Sequence, residues 1–176
     1  LESGGRWGFE WEAEDVAKQY ELRVGEYGVS RKEAMLASER TIEEAVNERF
    51  NEDLERWESM SMRPEEIVNA GYPMGIMRQF MPNVPIIIRQ KVLSKSRKKH
   101  GLTAREMHGL PGAMANPIFV FKSNEETVSV LTTLKSDSGE NLFVAVELGK
   151  DLKLGGRTME VNDILTIHGR ETENVI

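Results

Sequence analysis

The stretch Val161-Asn162-Asp163-Ile164-Leu165-Thr166-Ile167-His168-Gly169-Arg170 is the most informative extended element of the chain. Its later residues alternate in steps of two, so Thr166, His168 and Arg170 project from one face of a strand while Leu165 and Ile167 project from the other. One face is apolar and the other polar. A hydroxyl, an imidazole and a guanidinium in a row can hold a phosphodiester, supply a proton and stabilise the added charge of a pentacoordinate transition state. An edge strand with a solvated face gives the same spacing, and Gly169 can equally end the strand, so spacing alone leaves both readings open.

The period of two extends back to Pro117, where 118–121, 128–134, 142–148 and 161–167 read as four strands. Ser136-Asp137-Ser138-Gly139 reads as a hairpin turn and Gly155-Gly156 as a longer connection, which together imply an antiparallel meander. Before Pro117 the period is helical. Ile86-Ile87-Ile88 leads into a helix with Val92 and Leu93 on one side and Lys91, Lys95, Lys98 and Lys99 largely on the other, closed by Gly101 as a left-handed cap. Thr103 and Glu106 have capping-box spacing, so a second helix is expected over 104–110, stopped by Pro111. The expected architecture is α+β: short helices packed on a four-stranded antiparallel sheet, preceded by a long helical arm.

That arm spans 31–60. Behind a second capping-box spacing, Ser30 and Glu33, the residues Met35, Ile42, Val46, Phe50, Leu54 and Trp57 form an apolar stripe, and acids crowd the opposite face. The stripe can pack at home or take a protein partner. A short helix is expected from Pro64 to Gly71, a boundary at Tyr72-Pro73, and a loosely defined lead-in over 1–29 with one short helix over 12–24. The expected division is an acidic arm at 1–66, a linker at 67–84 and an α+β domain at 85–176.

A chain of 176 residues accommodates one core with a helical extension. With no cysteine, disulfides, thiolate metal sites and a cysteine nucleophile are excluded, which fits a reducing compartment such as cytoplasm. No apolar run approaches the roughly 18 residues of a membrane span, so no membrane partner is expected. The first residue is Leu1 and the last four are Glu173, Asn174, Val175 and Ile176, in what reads as a strand, so the sequence is expected to be a piece of a longer polypeptide.

The net charge of −6 hides a strong asymmetry: residues 1–66 hold 9 basic and 18 acidic residues, 67–110 hold 8 and 1, and 111–176 hold 6 and 10. A basic island can attract phosphate within an acidic molecule, though it can also be a solvated helix face. All three histidines, His100, His108 and His168, lie in or after this island. No HExxH pattern, metal-ligand cluster or glycine-rich phosphate loop is present, and no cofactor is expected. His100 ends the basic helix, as a cap or as a proton donor; His108 is read as structural. Lys122-Ser123 can contact phosphate or start a turn, with the turn favoured.

Three stretches taken in order resemble a known family: Val92-Leu93-Ser94-Lys95 with Lys99-His100-Gly101-Leu102-Thr103; Leu110-Pro111 with Asn116-Pro117-Ile118-Phe119-Val120-Phe121-Lys122-Ser123; and the strand 161–170. They resemble the C-terminal domains of phage Mu F-type head-morphogenesis proteins, which also occur in polyvalent proteins of phages and mobile elements. The resemblance covers about half of the chain and implies the fold of barnase, EndoU, colicin nucleases and RelE. It implies a metal-independent endoribonuclease of toxin or effector type acting on RNA; the protein partner open to such a chain is an immunity protein or one held on the helix 31–60. The family's functional positions fall on His100, Ser123, Thr166, His168 and Arg170, with catalysis expected at His100, Thr166, His168 and Arg170; the basic helix itself suggests phosphate binding by Lys95, Lys98 and Lys99, to which Lys122 and Ser123 are added as candidates. His168 stands where the family motif has tyrosine, lowering the reference pKa at that position from about 10 to about 6.5. The alternative expectation is a non-catalytic protein-interaction or nucleic-acid-binding module that keeps the nuclease-like fold.

Overall fold

The computed structural model describes residues 31–170, with side chains from residue 40. The expected helix over 12–24, the Ser30 cap and the last six residues lie outside them. The first element, α1 (Arg31–Glu58), matches the expected arm. Its stripe is spent at home: Val46, Phe50, Leu54 and Trp57 are buried, and the last three join one hydrophobic cluster with residues of the sheet. Helix α1 is therefore one layer of the fold, because residues four and three apart on a helix share a face that must be covered.

The segment expected as a linker carries structure. Where a short helix was expected from Pro64, Ile67–Asn69 forms strand β1, followed by a 3₁₀ turn at Gly75–Gln79. The triplet Ile86-Ile87-Ile88, expected to lead into a helix, is itself a strand, β2 (Ile86–Arg89). All three isoleucines are buried, and β-branched side chains favour a pleated, covered strand over a helical turn. Helix α2 (Gln90–His100) follows without a loop and ends at Gly101, whose φ of 67° is the expected left-handed cap.

Helix α3 (Ala104–Met107) opens on the expected capping box of Thr103 and Glu106. It ends sooner than expected, and Pro111 begins rather than stops a helix: α4 (Leu110–Ala115) starts after Gly109 with proline in its first turn, where no amide hydrogen is needed. The start of α4 is held by α1. Asn51 Oδ1 accepts the Gly109 N–H at 2.8 Å and Asn47 Oδ1 accepts the Gly112 N–H at 2.9 Å. The helices approach so closely that a Cβ on Gly112 would lie 2.7 Å from the Asn47 amide.

The four expected strands are present as β3 (Phe119–Lys122), β4 (Thr127–Lys135), β5 (Asn141–Leu154) and β6 (Arg157–Arg170), paired antiparallel in chain order. The expected four-stranded antiparallel sheet is corrected to a six-stranded mixed one, of order β1-β2-β6-β5-β4-β3, because β2 adds to β6 in parallel and β1 pairs antiparallel with β2. The connection at Gly155-Gly156 is a tight hairpin rather than a long one. Leu154 pairs directly with Arg157, and φ values of 56° and 81° suit two glycines in a turn whose twist matches the strands.

The helices cover one face of this sheet, where Val68, Ile88, Ile164, Ile167, Val144, Val146, Val128 and Val130 lie in the core. Truncating Leu54 to alanine in α1 is expected to cost about 2–5 kcal/mol of stability. Denaturation followed by tryptophan fluorescence and by circular dichroism should give a single coincident transition, and an earlier, separate transition for the helix would contradict a shared core.

Candidate active site

The register of β6 decides which side chains meet. Ala145 faces Thr166 but Val146 faces Ile164, so Leu165 is an extra residue, a bulge of the kind that re-aims side chains. From there the strand runs Thr166, Ile167, His168, Gly169, Arg170, with Ile167 turned into the core and Thr166, His168 and Arg170 on the opposite face of the sheet. Opposite them on β5, Phe143 pairs with His168, and Phe143 in turn pairs with Leu131, the partner of Phe119.

Helix α2 reaches this face because β6 changes neighbour. Strand β2 pairs with it only at Asn162 and Asp163. Beyond them α2 runs alongside, and the buried Ser96 hydroxyl donates to the Ile167 carbonyl at 2.9 Å, satisfying an edge that β2 no longer covers. The last residue of α2, His100, thereby comes over the strand: the rings of His100 and His168 lie 5.1 Å apart between centroids, tilted by 33°. His168 Nδ1 is 3.5 Å from Thr166 Oγ1, and its ring lies 5.2 Å from that of Phe143, over which the Arg170 guanidinium sits at 4.9 Å. All four residues expected at the catalytic centre are thus brought to one surface.

The basic residues divide. Lys95 stands near enough to repel a proton from His168, and Lys99, one turn on, projects from the same side of the helix. Lys98 lies about 200° around the helix from the buried Ser96 and points away from the strand. Arg97 is turned to α1, ion-paired with Glu58 at 2.7 Å and packed 4.2 Å over Trp57. Lys122 pairs with Val128, in the row of Val146 and Ile164, and alternation puts it on the core-side face rather than with Phe121. The Ser123 N–H donates to Thr127 O at 3.0 Å, closing the β3–β4 turn. Lys122 and Ser123 therefore stand apart from the histidine pair.

His108 is held by Glu55 of α1 at 2.7 Å, in the structural place expected for it. A groove along α1, lined by Glu44, Asn47, Glu48, Asn51, Glu52 and Glu55, is acidic and belongs to the helical side, the wrong sign for phosphate. Among the described residues no group of three or more His, Cys, Asp or Glu is placed to hold a metal ion, and no helix is long and apolar enough to cross a membrane.

The site also includes residues not singled out in advance. Phe143 is 7% exposed and fills the space between His168 and Arg170. Asp163 is fully buried with Arg89, its Oδ2 lying 3.0 Å from Nη2 and its Oδ1 accepting from Nε at 3.2 Å. Because the bulge resets the alternation, Asp163 shares the face of Thr166 through their partners Glu147 and Ala145. The Arg89 ion pair thus ties the end of β2 to the strand that carries the site.

The His168 pKa is lowered, first by burial of the ring and then by the positive charges of His100, Arg170 and Lys95. Each cause disfavours the imidazolium, so His168 is neutral at pH 7 and able to accept a proton. Removing one cation should relieve part of this. Lys95→Ala is expected to raise the His168 pKa towards the ordinary histidine value near 6.5, read from the imidazole resonances by NMR titration; an unchanged or lowered value would show that the lysine does not act on the ring.

Residues 91–176, a little under half of the chain, match the family description phage MuF-C-terminal domain. The matched segment begins at the second residue of α2 and holds both histidines of the pair, which associates the site-bearing part of the chain with phage. No curated protein and no solved structure matches the chain.

Proposed function

We propose that this phage-type domain is a metal-independent endoribonuclease of toxin or effector type. The observation that carries the reading is the pair of imidazole rings 5.1 Å apart on a sheet face that also bears Thr166 and Arg170. Two imidazoles at this separation disfavour double protonation, so one serves as base while the other carries the proton. His168, half-buried and with cations nearby, is the base: it takes the proton from a ribose 2′-hydroxyl, whose oxygen attacks the adjacent phosphorus. His100, exposed at the helix end, gives a proton to the departing 5′-oxygen. Arg170 and Lys95 face the charge that builds on the phosphoryl oxygens, and Thr166 offers a hydroxyl beside them.

The four consecutive antiparallel strands, and a helix before them that carries His100, support the likeness to barnase, EndoU and RelE folds. The reading requires a 2′-hydroxyl in the substrate, so RNA is cut and DNA is not. An immunity protein that covers the paired histidines is the partner this reading implies, and cytoplasmic RNA is its target. A second reading, RNA binding without cleavage, is favoured by one observation: an imidazole stands at position 168 where the resembled motif has a phenol.

Cleavage of single-stranded RNA in EDTA separates the two. The wild-type chain should produce fragments, and His100→Ala and His168→Ala should each lose about a hundredfold or more of the rate. Cleavage by both variants at the wild-type rate removes the histidines from the chemistry, and salt-sensitive binding with no product by the wild type favours the binding reading. The sign of the pH dependence follows from His168: the rate falls as pH drops through its lowered pKa, so the acid limb lies below pH 6.5.

A further inference from the structure

The rings at the site are part of a longer series. From β3 to the end of α2, five rings follow one another across the sheet: Phe119 to Phe121 at 5.7 Å, Phe121 to Phe143 at 6.0 Å, Phe143 to His168 at 5.2 Å and His168 to His100 at 5.1 Å. Strand pairing explains the alignment. Phe119 shares a row with Phe143 and His168, and Phe121 shares the next row with Thr166, so alternation sends all of them to the face opposite the core. The inner ring, Phe143, is covered by Arg170, whereas the outer ring, Phe119, is 42% exposed on an edge strand beside Ile118, itself 45% exposed.

A soluble domain gains nothing in stability from leaving a phenylalanine so open, and the neighbouring charges indicate what can cover it. Lys95 and Arg170 are cationic and flank the same face, which suits a polyanion that also carries flat apolar groups. We infer that Phe119 and Phe121 form a stacking subsite for an unpaired base of a single-stranded RNA whose backbone crosses the His100–His168 pair. The subsite deepens the ribonuclease reading and rests on it for the identity of the polymer. It selects unpaired strands, because a base held in a duplex cannot turn its flat face to the sheet. Stacking tolerates any base, so the subsite sets substrate form more than sequence.

Binding without turnover tests it separately from the chemistry. Fluorescence anisotropy with a labelled oligoribonucleotide carrying 2′-O-methyl groups throughout measures affinity where no cleavage can occur. Phe119→Ala should weaken binding roughly tenfold, Phe119→Trp should retain or tighten it, and an abasic strand of the same charge should bind wild type and Phe119→Ala alike. Equal binding of the base-bearing strand by wild type and Phe119→Ala, or an equal loss with the abasic strand, overturns the subsite. Circular dichroism of each variant checks that the fold is intact, and a Phe121→Ala chain provides the same comparison from the second ring. If the wild type binds in this way but never cuts unmodified RNA, the stacking subsite stands and the ribonuclease reading falls.

Discussion

Strand β6 has to satisfy two different neighbours along one edge, and the rest of the structure follows from how it does so. At Asn162 and Asp163 the neighbour is β2, a parallel strand. Past the bulge at Leu165 it is helix α2, whose buried Ser96 hydroxyl donates to the Ile167 carbonyl that no strand covers. A bare carbonyl at a buried edge costs free energy comparable to a lost hydrogen bond, so the helix must stay against the strand. Its end is therefore fixed over the strand's polar face, and His100 meets His168 as a geometric consequence. The Arg89–Asp163 ion pair at the foot of the helix anchors the same junction, its acid fully buried and its guanidinium partly so.

The same junction accounts for a basic island in an acidic chain. The cations of α2 are distributed by helical geometry: Arg97 is neutralised by Glu58 of α1, while Lys95 faces the histidines and Lys99 follows it one turn on. The acidic helix lies on the opposite side of the sheet, where its Asn47, Asn51 and Glu55 hold the start of α4 and His108. Among the described residues the acidic groove of α1 and the basic end of α2 are thus two surfaces of opposite character. A half-buried imidazole among cations loses its proton more readily than a free one, which links this charge distribution to the chemistry proposed for His168.

What could be read from the sequence, and what could not, has a physical basis. The strands β3 to β6 were legible because one face is buried and one is not, which writes a period of two. The capping box at Thr103 and the left-handed Gly101 were legible because they depend on a few neighbouring residues. Strands β1 and β2 were not: at three and four residues they are too short for a period, and Ile86-Ile87-Ile88 is covered on both sides and so carries no alternation. Pro111 misled because proline suits a helix start as well as an end, and the Asn47 and Asn51 contacts that settle the matter lie about sixty residues away. His100, Thr166, His168 and Arg170 were candidates by residue type, spacing and family resemblance, but only the fold could bring a helix end to a strand. Phe119, Phe121 and Phe143 were given no role beyond their strands, although the two-residue step from Phe119 to Phe121 places both on one face.

The central claim is that paired imidazoles use a ribose 2′-hydroxyl as the nucleophile, and the most direct test lies in the products. Mass spectrometry of an oligonucleotide containing one ribose among 2′-O-methyl residues, incubated with the chain in EDTA, locates both the cut and its end group. The account predicts one cut, on the 3′ side of that ribose, leaving a 2′,3′-cyclic phosphate or the 3′-phosphate formed from it. Cleavage at the 2′-O-methyl positions, or a product ending in a 3′-hydroxyl, would contradict it.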